Sequence, residues 1–181
     1  MRSLRDIFAK LPADGQIRHE LRRFNLSPAV DRKAKSVKDL AISLGFNVDR
    51  RLDLPKGMNG RLVKDAFSEN GYCVEVNGRL SVEAQRWAVL HELGHFYLHA
   101  EHEDFLDEIR HYDPSEFNTF YRSDQKKEER EANQFAEVLL FGDGALEAAN
   151  TLYRGNLERM CHHFGVTENV LRIAMKRFLQ R

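Results

Sequence analysis

Between Val82 and His99 the chain places Val82, Trp87, Val89, Leu90, Leu93 and Phe96 at mixed three- and four-residue spacings, with Ser81 positioned to cap the first turn. A helix over about 82–99 is therefore apolar on most sides and has to be buried, yet His91-Glu92-Leu93-Gly94-His95 runs through its middle. Buried imidazoles and a buried carboxyl need partners. Two histidines four residues apart share one helix face and can grip a single Zn²⁺, while Glu92 faces the metal's open position. His91 and His95 are expected as zinc ligands and Glu92 as general base on a water in that position, the layout of a zinc peptidase. Gly94 costs the helix roughly 1 kcal/mol relative to Ala, which is understandable where another backbone crosses closely.

Two histidines do not complete a zinc site, so a further protein ligand has to come from elsewhere, leaving the last position for water. The segment from Lys126 to Glu137 is strongly helical, and Ala132, Phe135, Ala136, Val138, Leu139 and Leu140 define its core-facing side. Glu128, Glu129 and Glu131 all fall on or near that side, and spacing does not separate them.

Arg86-Trp87-Ala88-Val89-Leu90-His91-Glu92-Leu93-Gly94-His95-Phe96-Tyr97-Leu98-His99, followed by Glu129-Arg130-Glu131-Ala132-Asn133-Gln134-Phe135-Ala136, resembles the ImmA/IrrE family of zinc metallopeptidases. The likeness extends upstream to Val37–Val48 and covers roughly residues 35 to 141. It implies a gluzincin arrangement in which the Glu-x-x-Ala-Asn pattern falls on Glu129, Ala132 and Asn133. On that match Glu129 is the third metal ligand and Asn133 hydrogen-bonds a ligand histidine and sets its tautomer. The family often continues this helix into Leu-Met-Pro, whereas here Leu139-Leu140 runs into Phe141-Gly142-Asp143-Gly144. The resemblance also implies a narrow protein substrate, a helix-turn-helix transcriptional repressor cleaved in a stress response or mobile-element switch.

Twenty-eight basic and twenty-eight acidic side chains cancel. That removes a general electrostatic hold on nucleic acid or anionic membrane, so nucleic-acid binding is the less favoured reading. No apolar run is long enough to span a bilayer and the N-terminus lacks a signal core, so a cytoplasmic protein is expected. Cys73 and Cys161 are far apart and read as reduced thiols. Oligomeric state is not encoded legibly.

The expected fold class is α+β: a mainly helical metallopeptidase core, a small β-sheet packed on the motif helices, and a helical C-terminal region. Residues 1–33 read as an N-terminal helical arm with Leu4, Ile7, Phe8 and Leu11 at helical spacing and a break from Pro12 to Gly15. Residues 34–144 form the zinc core, with a helix over 36–44, a strand from Phe46, and strands at Arg61–Val63 and Tyr72–Val76. The last of these is expected to put Tyr72, Val74 and Val76 on one side. An edge of the sheet can hold an extended substrate by backbone pairing. Residues 145–181 form a C-terminal subdomain of three helices, in which Met160 to Leu171 has helix-turn-helix rhythm. Packing rather than DNA reading is favoured for it, and His162 and His163 are not expected as ligands.

Between the motifs, His99 to Gln125 reads as a loop with short helical turns. His99, Tyr112, Tyr121 and Arg86 are candidates for stabilising the oxyanion, while His102 and His111 read as surface side chains. Two other readings remain: a regulator whose zinc is structural and which binds DNA or a partner without proteolysis, and a toxin-like protein held silent by a partner.

Overall fold

The computed structural model describes residues 1–26, 34–99 and 123–179. Among them the chain order is α1 (Leu4–Phe8), α2 (Gly15–Leu26), α3 (Val37–Ser43), β1 (Asn47–Arg51), β2 (Gly60–Lys64), β3 (Tyr72–Asn77), α4 (Val82–His99), α5 (Ser123–Phe141), α6 (Ala145–Leu152), α7 (Leu157–Phe164) and α8 (Glu168–Phe178). This is the α+β arrangement expected, helices dominating around one small sheet.

The sheet has the order β1-β3-β2, with β1 parallel and β2 antiparallel to the central strand. Leu62, Val74 and Val76 bury against α4. The alternation predicted only one buried side for β3, but Cys73, Glu75 and Asn77 on its other side are buried too. Glu75 is tolerated there because Arg61 pairs with it at 2.6 Å and Arg51 approaches at 3.7 Å. Asn77 donates its side-chain amide to the Met58 carbonyl.

The first twenty-six residues contain two helices rather than one. A capping box between Ser3 and Asp6 starts α1. The Asp14 carboxylate then accepts from the Gln16 and Ile17 amides and starts α2, which hydrophobic spacing alone did not reveal. Leu4, Ile7, Leu11, Leu21 and Phe24 are buried. Asn25 closes the packing by donating to the Val138 and Leu139 carbonyls in the last turn of α5, the first of which also accepts from the Gly142 amide.

α4 and α5 cross at the centre of the molecule, and one cluster of buried side chains joins them to α1, α2, the sheet and the C-terminal helices. α5 ends at Phe141, and the chain turns through Asp143 and Gly144, both with positive φ. Gly165, with φ of 64°, forms the turn between α7 and α8, and Thr167 caps α8 as its sequence predicted.

Candidate metal centre

The close crossing of α4 and α5 depends on Gly94. A Cβ there would stand 3.0 Å from both Cα and the carbonyl oxygen of Ala132 and 3.2 Å from Cβ of Phe135. With glycine facing alanine, the two backbones approach far enough for side chains one turn away to meet across the gap.

Three side chains do meet there. The Nε2 atoms of His91 and His95 are 3.0 Å apart. The Glu129 carboxylate reaches both, with one oxygen 3.2 Å from His91 Nε2 and the other 3.1 Å from His95 Nε2. Two ligands held about 2.0–2.1 Å from a tetrahedral zinc stand roughly 3.3 Å from each other, so the observed separations fit such an ion with small adjustments. Among the described residues this trio is the group of His, Cys, Asp and Glu side chains able to share a metal. The donor types, two imidazole nitrogens and a carboxylate, are those zinc accepts.

The tautomer follows from the network. His91 Nδ1 lies 3.1 Å from Asn133 Oδ1, an acceptor, so Nδ1 carries the proton and Nε2 keeps its lone pair for the centre. Asn133 is one turn along α5 from Glu129, so the same helix supplies the carboxylate and orients the imidazole.

Charge is balanced within the cluster. Burial works against ionised Glu129, but its close contacts with both imidazoles outweigh it and hold the carboxyl well below its ordinary pKa. Burial pulls the His91 pKa down, and the hydrogen bond to Glu129 with the nearby Glu92 charge reverses this, leaving it raised. Glu92 moves the opposite way to Glu129: burial raises its pKa despite both histidines, which favours a carboxyl that can take and return a proton.

Of the three glutamates that spacing left equal, Glu129 is the one in the cluster. Glu131 turns to Lys10 of the N-terminal segment at 2.7 Å, and its other oxygen lies 3.9 Å from His99 Nε2. His99 is buried beside His95, ring centroids 5.7 Å apart. Burial, and the neighbouring His95, bring its pKa down to about 4. Arg86 is committed elsewhere, donating to the Gly165 and Phe164 carbonyls at the end of α7. His163 pairs with the Tyr153 hydroxyl at 3.2 Å in the C-terminal region. The loop expected over His99 to Gln125 is helical at both described ends, His99 closing α4 and Ser123–Gln125 opening α5; the rest of it, with His102, His111, Tyr112 and Tyr121, lies outside the described residues.

Gly60 opens β2, one residue before the strand expected at Arg61–Val63. A Cβ there would lie 3.4 Å from Glu92 Cγ and 3.4 Å from Ala88 Cβ, so β2 passes directly over the carboxyl-bearing turn of α4. A glycine opening an edge strand was the available signal. Nothing in the sequence pairs Lys10 with Glu131.

The IrrE N-terminal-like domain, peptidase M78, matches residues 48–176. No curated protein matches significantly. Among solved structures, a Mycobacterium tuberculosis transcriptional regulator is similar in fold with a TM-score of 0.55 at 16% identity, over 98% of this chain and 52% of that one. The chain thus spans about half the length of that protein, and at this identity the likeness is one of fold.

Proposed function

The chain belongs to the IrrE N-terminal-like family of metallopeptidases, peptidase M78, and we propose that it is a zinc-dependent endopeptidase acting on a specific protein substrate. The observation that carries this reading is the convergence of His91 Nε2, His95 Nε2 and the Glu129 carboxylate beside a Glu92 whose pKa is raised. Zinc held by those three side chains would polarise a peptide carbonyl and lower the pKa of a water. Glu92 takes the proton from the attacking water and delivers it to the leaving nitrogen, and its raised pKa suits both transfers. Asn133 keeps His91 in the tautomer that presents Nε2. The substrate backbone extends along the outer edge of β2, which no strand among the described residues pairs with and whose first residue lies against Glu92.

The family resemblance supports a helix-turn-helix transcriptional repressor as substrate and the cytoplasm as the place of action. Among the described residues no helix is long and apolar enough to cross a membrane. A second reading, a zinc-containing regulator that binds a partner or DNA without proteolysis, draws on the Gly165 turn between α7 and α8 and on the fold likeness to a protein described as a transcriptional regulator.

The two readings part on Glu92. Purified wild type and Glu92→Gln should each retain a single zinc after loading and desalting, and Glu129→Gln should lose it, by elemental analysis. Cleavage of a repressor encoded beside the protein should fall by about 10²–10⁴ in Glu92→Gln. Full biological activity in Glu92→Gln would favour the regulator, and zinc retained by Glu129→Gln would remove the ligand assignment.

A further inference from the structure

We propose that the loop between β2 and β3, residues 65–71, together with the hollow beside it, is an exosite for the protein substrate, taking an apolar recess on Phe67 and a basic side chain between Asp14 and Glu69. The proposal rests on the peptidase reading above and deepens it: it says how a site built mainly from backbone and metal could select one protein.

Phe67 is 96% exposed, the most exposed large apolar side chain among the described residues. Singly exposed apolar residues are common and carry no meaning by themselves. Phe67 differs in how it is held. Asp65 Oδ1 accepts from the Phe67 amide at 2.9 Å, and Asp65 Oδ2 accepts from Asn47 of β1 at 2.6 Å. The Asp65 amide donates to the Gly71 carbonyl at 2.8 Å, closing the loop at its base. Asn70 then ties it to the end of α3, its backbone amide donating to Gly45 and its side chain to Leu44. An aromatic ring on a loop already fixed by its own hydrogen bonds loses little freedom on binding, which is the property of a binding anchor.

Two residues beyond Phe67 in the chain, Glu69 and Asn70 of the same loop form one wall of an open hollow of about 220 Å³. Its floor is apolar, from Ile17, Leu44 and Phe96, and Asp14 and Glu69 stand at its rim. That volume equals about seven waters, room for one long side chain. Neither rim carboxylate is in an ion pair with a described residue. A lysine or arginine, with an aliphatic stem over the apolar floor and its charge at the rim, is the side chain that fits.

Position decides in favour of the substrate over other occupants. β2 begins at Gly60 against Glu92 and leads directly into this loop. At about 3.3 Å per residue the strand from Gly60 to Lys64 spans roughly 13 Å. An extended segment lying on the β2 edge with its scissile bond near Glu92 therefore comes to the start of this loop about four residues away. Occupancy of both ends by one chain converts the second contact into an intramolecular one.

Binding can be read without cleavage. A fluorescein-labelled synthetic peptide carrying leucines and lysines at one end of a Gly-Ser spacer is titrated by anisotropy into zinc-loaded Glu92→Gln protein, alongside a peptide with glutamates in place of the lysines. The Leu-Lys peptide should bind the tighter of the two. Phe67→Ser and Glu69→Lys should each weaken it about tenfold, a hot-spot effect, with zinc content and unfolding midpoint unchanged. Leu152→Ser, at an exposed leucine on α6, should leave binding intact. Equal affinity in the parent and Phe67→Ser overturns the exosite, as does equal weakening by Leu152→Ser. A dimer that becomes monomeric in Phe67→Ser would also overturn it, making a second copy of the chain the occupant. Loss of the peptidase reading shows up separately, in zinc retained by Glu129→Gln, and leaves these affinities interpretable.

Discussion

Gly94 couples packing to chemistry at the level of a single side chain. Its missing Cβ lets Ala132 come within van der Waals contact of α4, and Glu129 hangs one turn before Ala132 on the same helix. In Gly94→Ala the helix itself gains roughly 1 kcal/mol of propensity, but the added methyl meets backbone, which cannot rotate away. The net expectation is a loss of about 1–3 kcal/mol from overpacking. The displacement should fall on Glu129, so zinc affinity measured by competition with a chromophoric chelator should drop along with the urea midpoint. Unchanged zinc affinity would mean that the α4–α5 approach does not set the carboxylate's position. This residue also marks what could be read in advance. Gly94 inside a buried helix pointed to a close backbone crossing, and His91 and His95 followed from their spacing. Glu129 did not follow in the same way, because three glutamates lie within four positions and only the crossing of α4 and α5 decides which one faces the imidazoles. The family likeness chose among them where spacing could not.

At the scale of the element, helix ends explain most of what hydrophobic periodicity left out. α2 begins on Asp14 and finishes with its terminal carbonyls received by a side chain from outside the helix: Lys35 Nζ donates to Phe24 at 2.8 Å and Asn25 at 2.5 Å and lies 5.6 Å over the Phe24 ring. Sequence shows a lysine nine residues past the helix and no reason for it to return. Strand pairing was equally hidden: the alternation located β1, β2 and β3, but not that β3 would sit between the other two, parallel to β1 and antiparallel to β2. The buried capping lysine carries a pH signature. Burial lowers its pKa to about 8, against about 10.4 in an unfolded chain. Between those values the unfolded state binds more protons, so the Lys35 contribution to stability increases as pH rises through this window and is least favourable below it. Comparing wild type with Lys35→Met by urea unfolding cancels the other titrating groups. The stability difference should move in favour of wild type between pH 8 and 10, by about 1–2 kcal/mol once solvent screening of a partly exposed group is allowed for. A flat difference across that range would show that Lys35 titrates normally.

Across the whole molecule, each helix of the candidate metal centre is fastened to a different helix of the C-terminal region through a charged group. From α4, Arg86 donates to the carbonyls that close α7. A Cβ at Gly165 would come within 2.5 Å of that guanidinium, so the turn and the arginine are fitted to each other. From α5, buried Glu137 pairs with Arg177 of α8, and the same guanidinium donates to the Met1 carbonyl at 2.6 Å. One arginine therefore gathers α5, α8 and the start of the chain. Burial raises the Glu137 pKa and the arginine opposes this, so the carboxylate depends on its partner to stay charged. Removing only the partner should be costly: Arg177→Met leaves a buried carboxylate uncompensated, an expected loss of about 3–5 kcal/mol. Replacing both groups with apolar side chains of similar length removes the desolvation cost together with the attraction, and such exchanges are often near neutral. Glu137→Met/Arg177→Met should accordingly be more stable than Arg177→Met alone in urea unfolding, with zinc content preserved in both. A double variant no more stable than Arg177→Met alone would mean that the pair holds the C-terminal helices by attraction that packing cannot replace, and that α4 and α5 are braced electrostatically.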